Sequence, residues 1–217
     1  SQLYLCFFYR FHCCHQRRHD IAPGGGVFAH AREALRYLGR VALGAGLGPW
    51  KEDFSYNGVR FERRGVLMDE CIAIIRGTMK GEYFEHHSEN YDFGPLKMNP
   101  VPEKPVPILI GGHAAPALKR AARLGDGWIS ANSDYESLSK LIAELTGYRK
   151  EFGTAHRKDF EIHVIDSNAR SAADFQRLEA LGATEAALIA WGPEVRDRQA
   201  QLDAIKRFGD EVVAKFR

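Results

Sequence analysis

The strongest constraint in this sequence is a repeat: short apolar runs alternate with amphipathic stretches, and most of those stretches stop at a glycine. Arg40–Gly48 reads as a strand of small and β-branched residues leading into a glycine-rich turn. After a polar loop over Arg60–Gly65, Met68, Ile72, Ile75 and Met79 fall on one face of a helix. Gly81–Lys104 reads as a loop whose exit is punctuated by Pro100, Pro102, Pro105 and Pro107, residues that favour extended backbone and break helices. Further strands are predicted at Pro107–Ile110, Gly127–Ala131, Phe160–Ile165 and Ala186–Trp191.

The helices between them carry their own punctuation. Pro116 suits the first turn of a helix that turns Leu118, Ala121, Ala122 and Leu124 inward and takes Gly125 as its C-terminal cap. Leu138, Leu141, Ile142, Leu145, Tyr148 and Phe152 mark the next helix, which stops at Gly153. Ser171-Ala172-Ala173-Asp174 has the form of a capping box opening a helix with Phe175, Leu178 and Leu181 inward, closed by Gly182. The last helix is expected to bury Leu202, Ile205, Phe208, Val212 and Phe216.

Five consecutive strand–helix units imply a parallel α/β sheet. An open doubly wound sheet and a (β/α)8 barrel both satisfy the pattern. Gly44-Ala45-Gly46-Leu47-Gly48 lacks the third glycine of a dinucleotide fingerprint, and no Gly-Lys-Ser/Thr element marks a nucleotide P-loop. A chain that is 45% hydrophobic and 27% charged has globular rather than disordered composition. Its formal charge of +2 gives no bias toward nucleic acid or membrane surfaces, and no run approaches the length of a membrane span. The four cysteines lack framework spacing, so a reduced, cytoplasmic protein is expected.

The opening segment is atypical. Ser1–Ala22 gathers Cys6, Cys13, Cys14, His12, His15 and His19, yet adjacent Cys13-Cys14-His15 is poor spacing for tetrahedral zinc, and no metal is expected. Leu3–Tyr9 is too short for a signal peptide, and its charges follow rather than precede it. Residues 1–38 are therefore read as a degenerate segment, from a truncated or misread N-terminus, and 39–217 as the regular domain.

Three segments together resemble the bacterial luciferase-like family of flavin- and deazaflavin-dependent oxidoreductases. They are Gly39–Gly48 with Lys51–Phe54 and Gly58–Gly65; Tyr91–Pro95 followed by Pro105–His113; and Leu118–Trp128. The last two, in order and nearly adjacent, are the most specific. The resemblance implies a TIM barrel, incomplete at its N-terminus, with about five of eight units present. It also implies an oxidoreductase or monooxygenase acting on a small organic substrate with FMN or the deazaflavin coenzyme F-420, and a homodimer. A truncated, non-catalytic fragment or a cofactor-binding relative that acts only with another chain is the alternative.

On this reading Gly46, Gly48, Gly111, Gly112 and His113 form the cofactor-binding set. A glycine pair between strand and helix lets backbone approach a ligand closely, and the next helix offers free N–H groups to phosphate. His113, Lys119 and Arg120 add positive charge. Pro49 precedes Trp50 where the family has an aromatic directly after its glycine turn. Asp126 is expected to serve structure, Trp128 to pack between helix and barrel, and His163 to be a core or wall histidine. His86 and His87 are expected to lie in a solvated loop, and Lys51-Glu52-Asp53 on a charged surface. No catalytic residue is assigned.

Overall fold

The computed structural model describes residues 4–9, 41–102, 104–165 and 168–216. It divides into two compact units, Ser1–Leu109 and Ile110–Arg217. In the first unit, strand β2 (Val41–Gly46) pairs with β1 (Tyr4–Tyr9) in antiparallel register, from Tyr4 opposite Gly46 to Tyr9 opposite Val41. On the other side, the Leu43 N–H donates to the Pro107 carbonyl at 2.8 Å, at the entry to β5 (Ile108–Gly111). The aromatic-rich start of the segment read as degenerate thus supplies a strand. That strand runs against the direction of its neighbour, a departure from the parallel pattern.

The charged run Lys51–Asp53 opens the short helix α1 (Lys51–Tyr56). The expected loop over Arg60–Gly65 is a 3-10 turn (Phe61–Arg63) that runs directly into α2 (Arg64–Thr78). Stacking explains the early start: the Arg64 guanidinium lies 3.5 Å from the Phe61 ring centre and donates to the Phe61 carbonyl at 2.8 Å. Met68 and Ile72 are buried, as their spacing predicts.

The stretch read as a loop at Gly81–Lys104 holds a hairpin, β3 (Phe84–His87) paired antiparallel with β4 (Asp92–Leu96). Its signal is faint because only Phe84, His86 and Phe93 carry the stacked face, with ring centres 5.9–6.3 Å apart. Gly77 of α2 is required beneath it, since a Cβ there would strike the Phe84 ring.

The second unit is regular. Ile110 and Gly111 end β5, which lies beside β6 (Gly127–Ala131); β6, β7 (Glu161–Ile165) and β8 (Glu185–Ala187) pair in parallel, in that order. Helices α3 (Ala115–Leu124), α4 (Tyr135–Glu151) and α5 (Ala172–Ala180) connect them. Leu118, Ala121, Ala122, Leu138, Leu145, Trp128 and Val164 form the core. Each large apolar side chain moved out of water contributes about 1.5–3 kcal/mol.

Helices α4 and α5 are followed by Gly153 and Gly182 at φ +69° and +99°, the left-handed conformation that glycine adopts without steric cost. Gly125 differs. Its backbone is extended, with φ −80°, and glycine is needed there for space. A Cβ would lie 2.8 Å from the Ala121 carbonyl oxygen and 2.9 Å from that of Gly127.

Two expectations fail toward the C-terminus. The fifth strand spans Glu185–Ala187 rather than Ala186–Trp191, because its ladder ends opposite Ile165, the last residue of β7. Helix α6 (Arg198–Glu211) buries none of its residues: Leu202 and Ile205 are 42% and 49% exposed, and Phe216 beyond it is 46% exposed. The apolar stripe is divided. Phe208 and Phe216 meet the edge of Phe175, and Val212 is buried, but Leu202 and Ile205 stay exposed among the described residues.

The capping box forms as its sequence predicts. The Ser171 hydroxyl accepts from the Asp174 N–H, while the Asp174 carboxylate accepts from the Ser171 hydroxyl at 2.7 Å and from the Ser171 N–H at 2.9 Å; these two bonds, the hydroxyl's first, hold it below the usual carboxylate range. Replacing Ser171 by Ala is expected to cost about 1 kcal/mol, and by Gly only a few tenths. Urea unfolding of the two variants measures this, and equal losses would show that the cap contributes nothing.

Candidate cofactor-binding turn

At the end of β5 the chain turns sharply at Gly112, whose φ of +121° lies outside the range that L side chains favour. A Cβ there would also approach that of Ala117 to 3.0 Å. The turn is fixed by a bond from the neighbouring strand: the Trp128 indole N–H donates to the Gly112 carbonyl at 2.8 Å. Trp128 itself is fully buried, so the donor is aimed by packing rather than by a flexible stem. Trp128 packs in the core, as its sequence context predicts, and also carries a polar role that pattern reading misses.

His113 continues the turn. Its ring meets Trp128 edge-on at 6.2 Å between centres, and Nε2 lies 3.1 Å from the Ser130 hydroxyl and 3.4 Å from that of Ser133. The two hydroxyls lie 2.9 Å apart and both serines are buried, whereas His113 is exposed. A buried serine pair therefore orients an exposed imidazole. The available signal for Ser130 is its position at the end of the otherwise apolar strand Gly127–Ala131.

Helix α3 starts immediately afterwards. Ala114, the residue just ahead of it, makes no side-chain cap, Pro116 occupies the first turn, and no acidic residue lies there. The positive end of the helix dipole therefore carries no internal counter-charge, which is the electrostatic arrangement that accepts a phosphate or carboxylate. Lys119 lies with its ammonium 5.1 Å from the Tyr148 ring of α4, and Arg120 is buried. Of the three expected cations, His113 belongs to the turn itself.

Gly111, Gly112 and His113 are thus brought together in one turn of the second unit. Gly46 and Gly48 belong to the first unit. Gly48, at φ +71°, needs glycine for its backbone, whereas a Cβ on Gly46 would meet nothing within 4 Å. Asp126 is structural: its carboxylate accepts from Arg157 Nη2 at 2.7 Å, while Arg157 Nη1 donates to the Gly125 carbonyl at 3.0 Å.

The first unit holds a polar knot and an apolar cavity. Glu70 of α2 accepts hydrogen bonds from Ser88 and, at 2.7 Å, from Asn90, and lies 2.7 Å from His86 Nε2. His86 is therefore engaged rather than loop-solvated, while His87 pairs with Asp92 at 2.6 Å and its pKa is raised by that bond. A cavity of about 190 Å³ lies among Leu43, Met68, Ile72, Ile75, Phe93 and Ile108. At its wall the Cys71 thiol donates to the Tyr91 phenol at 3.2 Å. Burial pushes the Cys71 thiol up, and burial pushes Tyr91 up to about 12.

Parallel strands alternating with helices define the class of fold, and the sequence comparisons give the family. The family described as luciferase-like monooxygenase matches residues 35–215, and the chain belongs to it. An uncharacterized protein of Mycobacterium tuberculosis (strain ATCC 25618 / H37Rv) is 42% identical over 201 residues, covering 90% of this chain and 69% of that protein. The F420-dependent glucose-6-phosphate dehydrogenase of Gordonia bronchialis is 28% identical over 139 residues, covering 61% of this chain and 40% of the enzyme. Coenzyme F420 dependent tetrahydromethanopterin reductase from Methanopyrus kandleri shares the fold. Its TM-score is 0.59 at 12% identity, covering 80% of this chain and 74% of that one. The fold is accordingly α/β of the (β/α)8 barrel type, present in part. No helix of the described residues is long and apolar enough to cross a membrane.

Two outcomes follow. Trp128→Phe removes the N–H together with part of a fully buried ring system, and is expected to lower stability by more than the about 0.5–1.5 kcal/mol of the hydrogen bond alone; an unchanged urea midpoint would show that the Gly112 carbonyl does not depend on it. Glu70 has a folded-state pKa lowered first by its Ser88 hydrogen bond, then by His86 and Asn90. The stability it contributes is present above the unfolded value of about 4.3 and is lost as pH falls through the lower folded value. Glu70→Gln removes that titration, so the variant is expected to be less stable at neutral pH and to lose less on acidification. Parallel acid limbs for the two proteins would contradict this.

Proposed function

We propose that this chain forms part of the barrel of an oxidoreductase that binds a phosphate-bearing flavin-type cofactor at the Gly111–His113 turn, with the deazaflavin coenzyme F-420 or FMN as that cofactor. The observation that carries the reading is the Trp128–Gly112 bond, which holds the turn open in front of the uncapped start of α3. The residues present fit a phosphate group: an exposed turn, a helix start without acidic neighbours, and an exposed imidazole held from behind by Ser130 and Ser133. Membership of the family and the coenzyme F420 relatives support the cofactor class.

In this reading Gly112 brings backbone up to the phosphate, the N–H groups of Ala114 and Ala115 ahead of Pro116 bind it, and His113 adds a donor whose orientation the serine pair fixes. When bound, the cofactor supplies hydride transfer to or from a small organic substrate or, as reduced flavin, reaction with oxygen. The protein's task is to position and to exclude water. The protein is proposed to act in the cytoplasm.

The exposed Leu202 and Ile205 of α6 favour a second reading in which the chain works in association with another chain, a homodimer included.

Titration of the purified protein with FMN and, separately, with coenzyme F-420, followed by absorbance and ring fluorescence, tests the proposal. Saturable binding of one of them is expected, and no binding of either would overturn it. Gly112→Ala places a side chain at a φ that costs about 1–3 kcal/mol. The variant is expected to keep its circular dichroism and to bind the preferred cofactor at least about 10-fold more weakly, equivalent to about 1.4 kcal/mol. Undiminished affinity would remove the turn from the site.

A further inference from the structure

We propose that Glu161, His163 and Glu185 form a binding site for one divalent first-row transition-metal ion, separate from the cofactor-binding turn. Strand β7 alternates: Ile162 and Val164 are buried on one face, which places Glu161 and His163 together on the other. Strand β8 pairs in parallel with His163 directly opposite Glu185, so the third group lies on that same face. The ligand atoms of all three residues lie within 4.8 Å of one another, and His163 Nε2 is 2.7 Å from Glu161 Oε2.

The donor set is chemically selective. Within the trio itself, two carboxylates outnumber one imidazole. The side chains of Glu161 and His163 are only 17% and 12% exposed, so water screens their charge poorly. Imidazole nitrogen with carboxylate oxygen suits zinc, manganese or ferrous iron better than magnesium or calcium, and the absence of thiolate in the trio argues against a soft monovalent ion. Metal–ligand bonds of about 2.0–2.2 Å place neighbouring donors roughly 3 Å apart, so binding requires the trio to draw together from the observed spacing.

The scaffold is rigid. Thr184, next to Glu185, donates its N–H to the Ile162 carbonyl at 2.9 Å and accepts the Ile162 N–H on its hydroxyl at 2.9 Å. Both bonds fix the register that sets Glu185 against His163. Three protein donors leave a coordination position open to water or a small anionic ligand, the pattern of a reactive rather than a purely structural site. The expectation of a plain wall histidine at His163 rests on alternation alone, which is blind to the glutamate from the next strand.

The test uses the full chain after removal of metal with a chelator. Cobalt(II) is titrated as a spectroscopic probe, and zinc is added in competition. Wild type is expected to develop visible d–d bands saturating at one ion per chain, without the near-ultraviolet thiolate band that binding at Cys13 or Cys14 would give. Zinc is expected to raise the thermal midpoint. His163→Ala and Glu185→Gln are each expected to weaken cobalt binding at least about 10-fold and to abolish the zinc-dependent midpoint shift. Glu185→Gln preserves shape and serves if His163→Ala fails to fold. No saturable cobalt spectrum, a thiolate band, or affinity unchanged in Glu185→Gln would overturn the site and leave His163 as a hydrogen-bonded partner of Glu161. Because the readout is metal binding, failure here leaves the cofactor proposal untouched.

Discussion

One hydrogen bond organises the proposed site: the buried Trp128 indole N–H on the Gly112 carbonyl. It couples three levels of structure. The apolar strand Gly127–Ala131 supplies the packing that immobilises the indole. The immobilised donor fixes a turn whose φ of +121° only glycine tolerates readily. The fixed turn leaves the start of α3 uncapped and facing outward, with His113 at its rim.

Much of the fold was legible in the sequence because its signals are local. Strand Gly127–Ala131, the helix ends at Gly153 and Gly182, Pro116 in a first turn, and the Ser171–Asp174 capping box each depend on residues within a few positions of one another. The sharp turn at Gly112 between strand and helix was legible for the same reason. Gly125 shows the limit of this reasoning: glycine is present as expected, yet it is required by crowding from Ala121 and Gly127 rather than by a left-handed cap.

What was not legible depends on partners distant in sequence. The serines behind His113 lie 17 and 20 positions away. The hairpin at Phe84–Leu96 is stabilised by Glu70, which binds Ser88 and Asn90 across its turn and sits against His86, and by the glycine that admits Phe84. Alternation alone cannot announce those contacts. Helix α6 fails in the opposite sense. Its apolar spacing is genuine, but Leu202 and Ile205 find no cover among the described residues, so periodicity overstates burial.

The central claim is that the turn after β5 is prearranged to receive the phosphate of a flavin-type cofactor. Backbone amide hydrogen exchange, followed by mass spectrometry with and without saturating FMN or coenzyme F-420, tests it most directly. The account predicts slowed exchange concentrated in the peptide spanning Gly111–Ala117, with much smaller changes around Glu70. Protection confined to other segments, with Gly111–Ala117 unchanged, would contradict it.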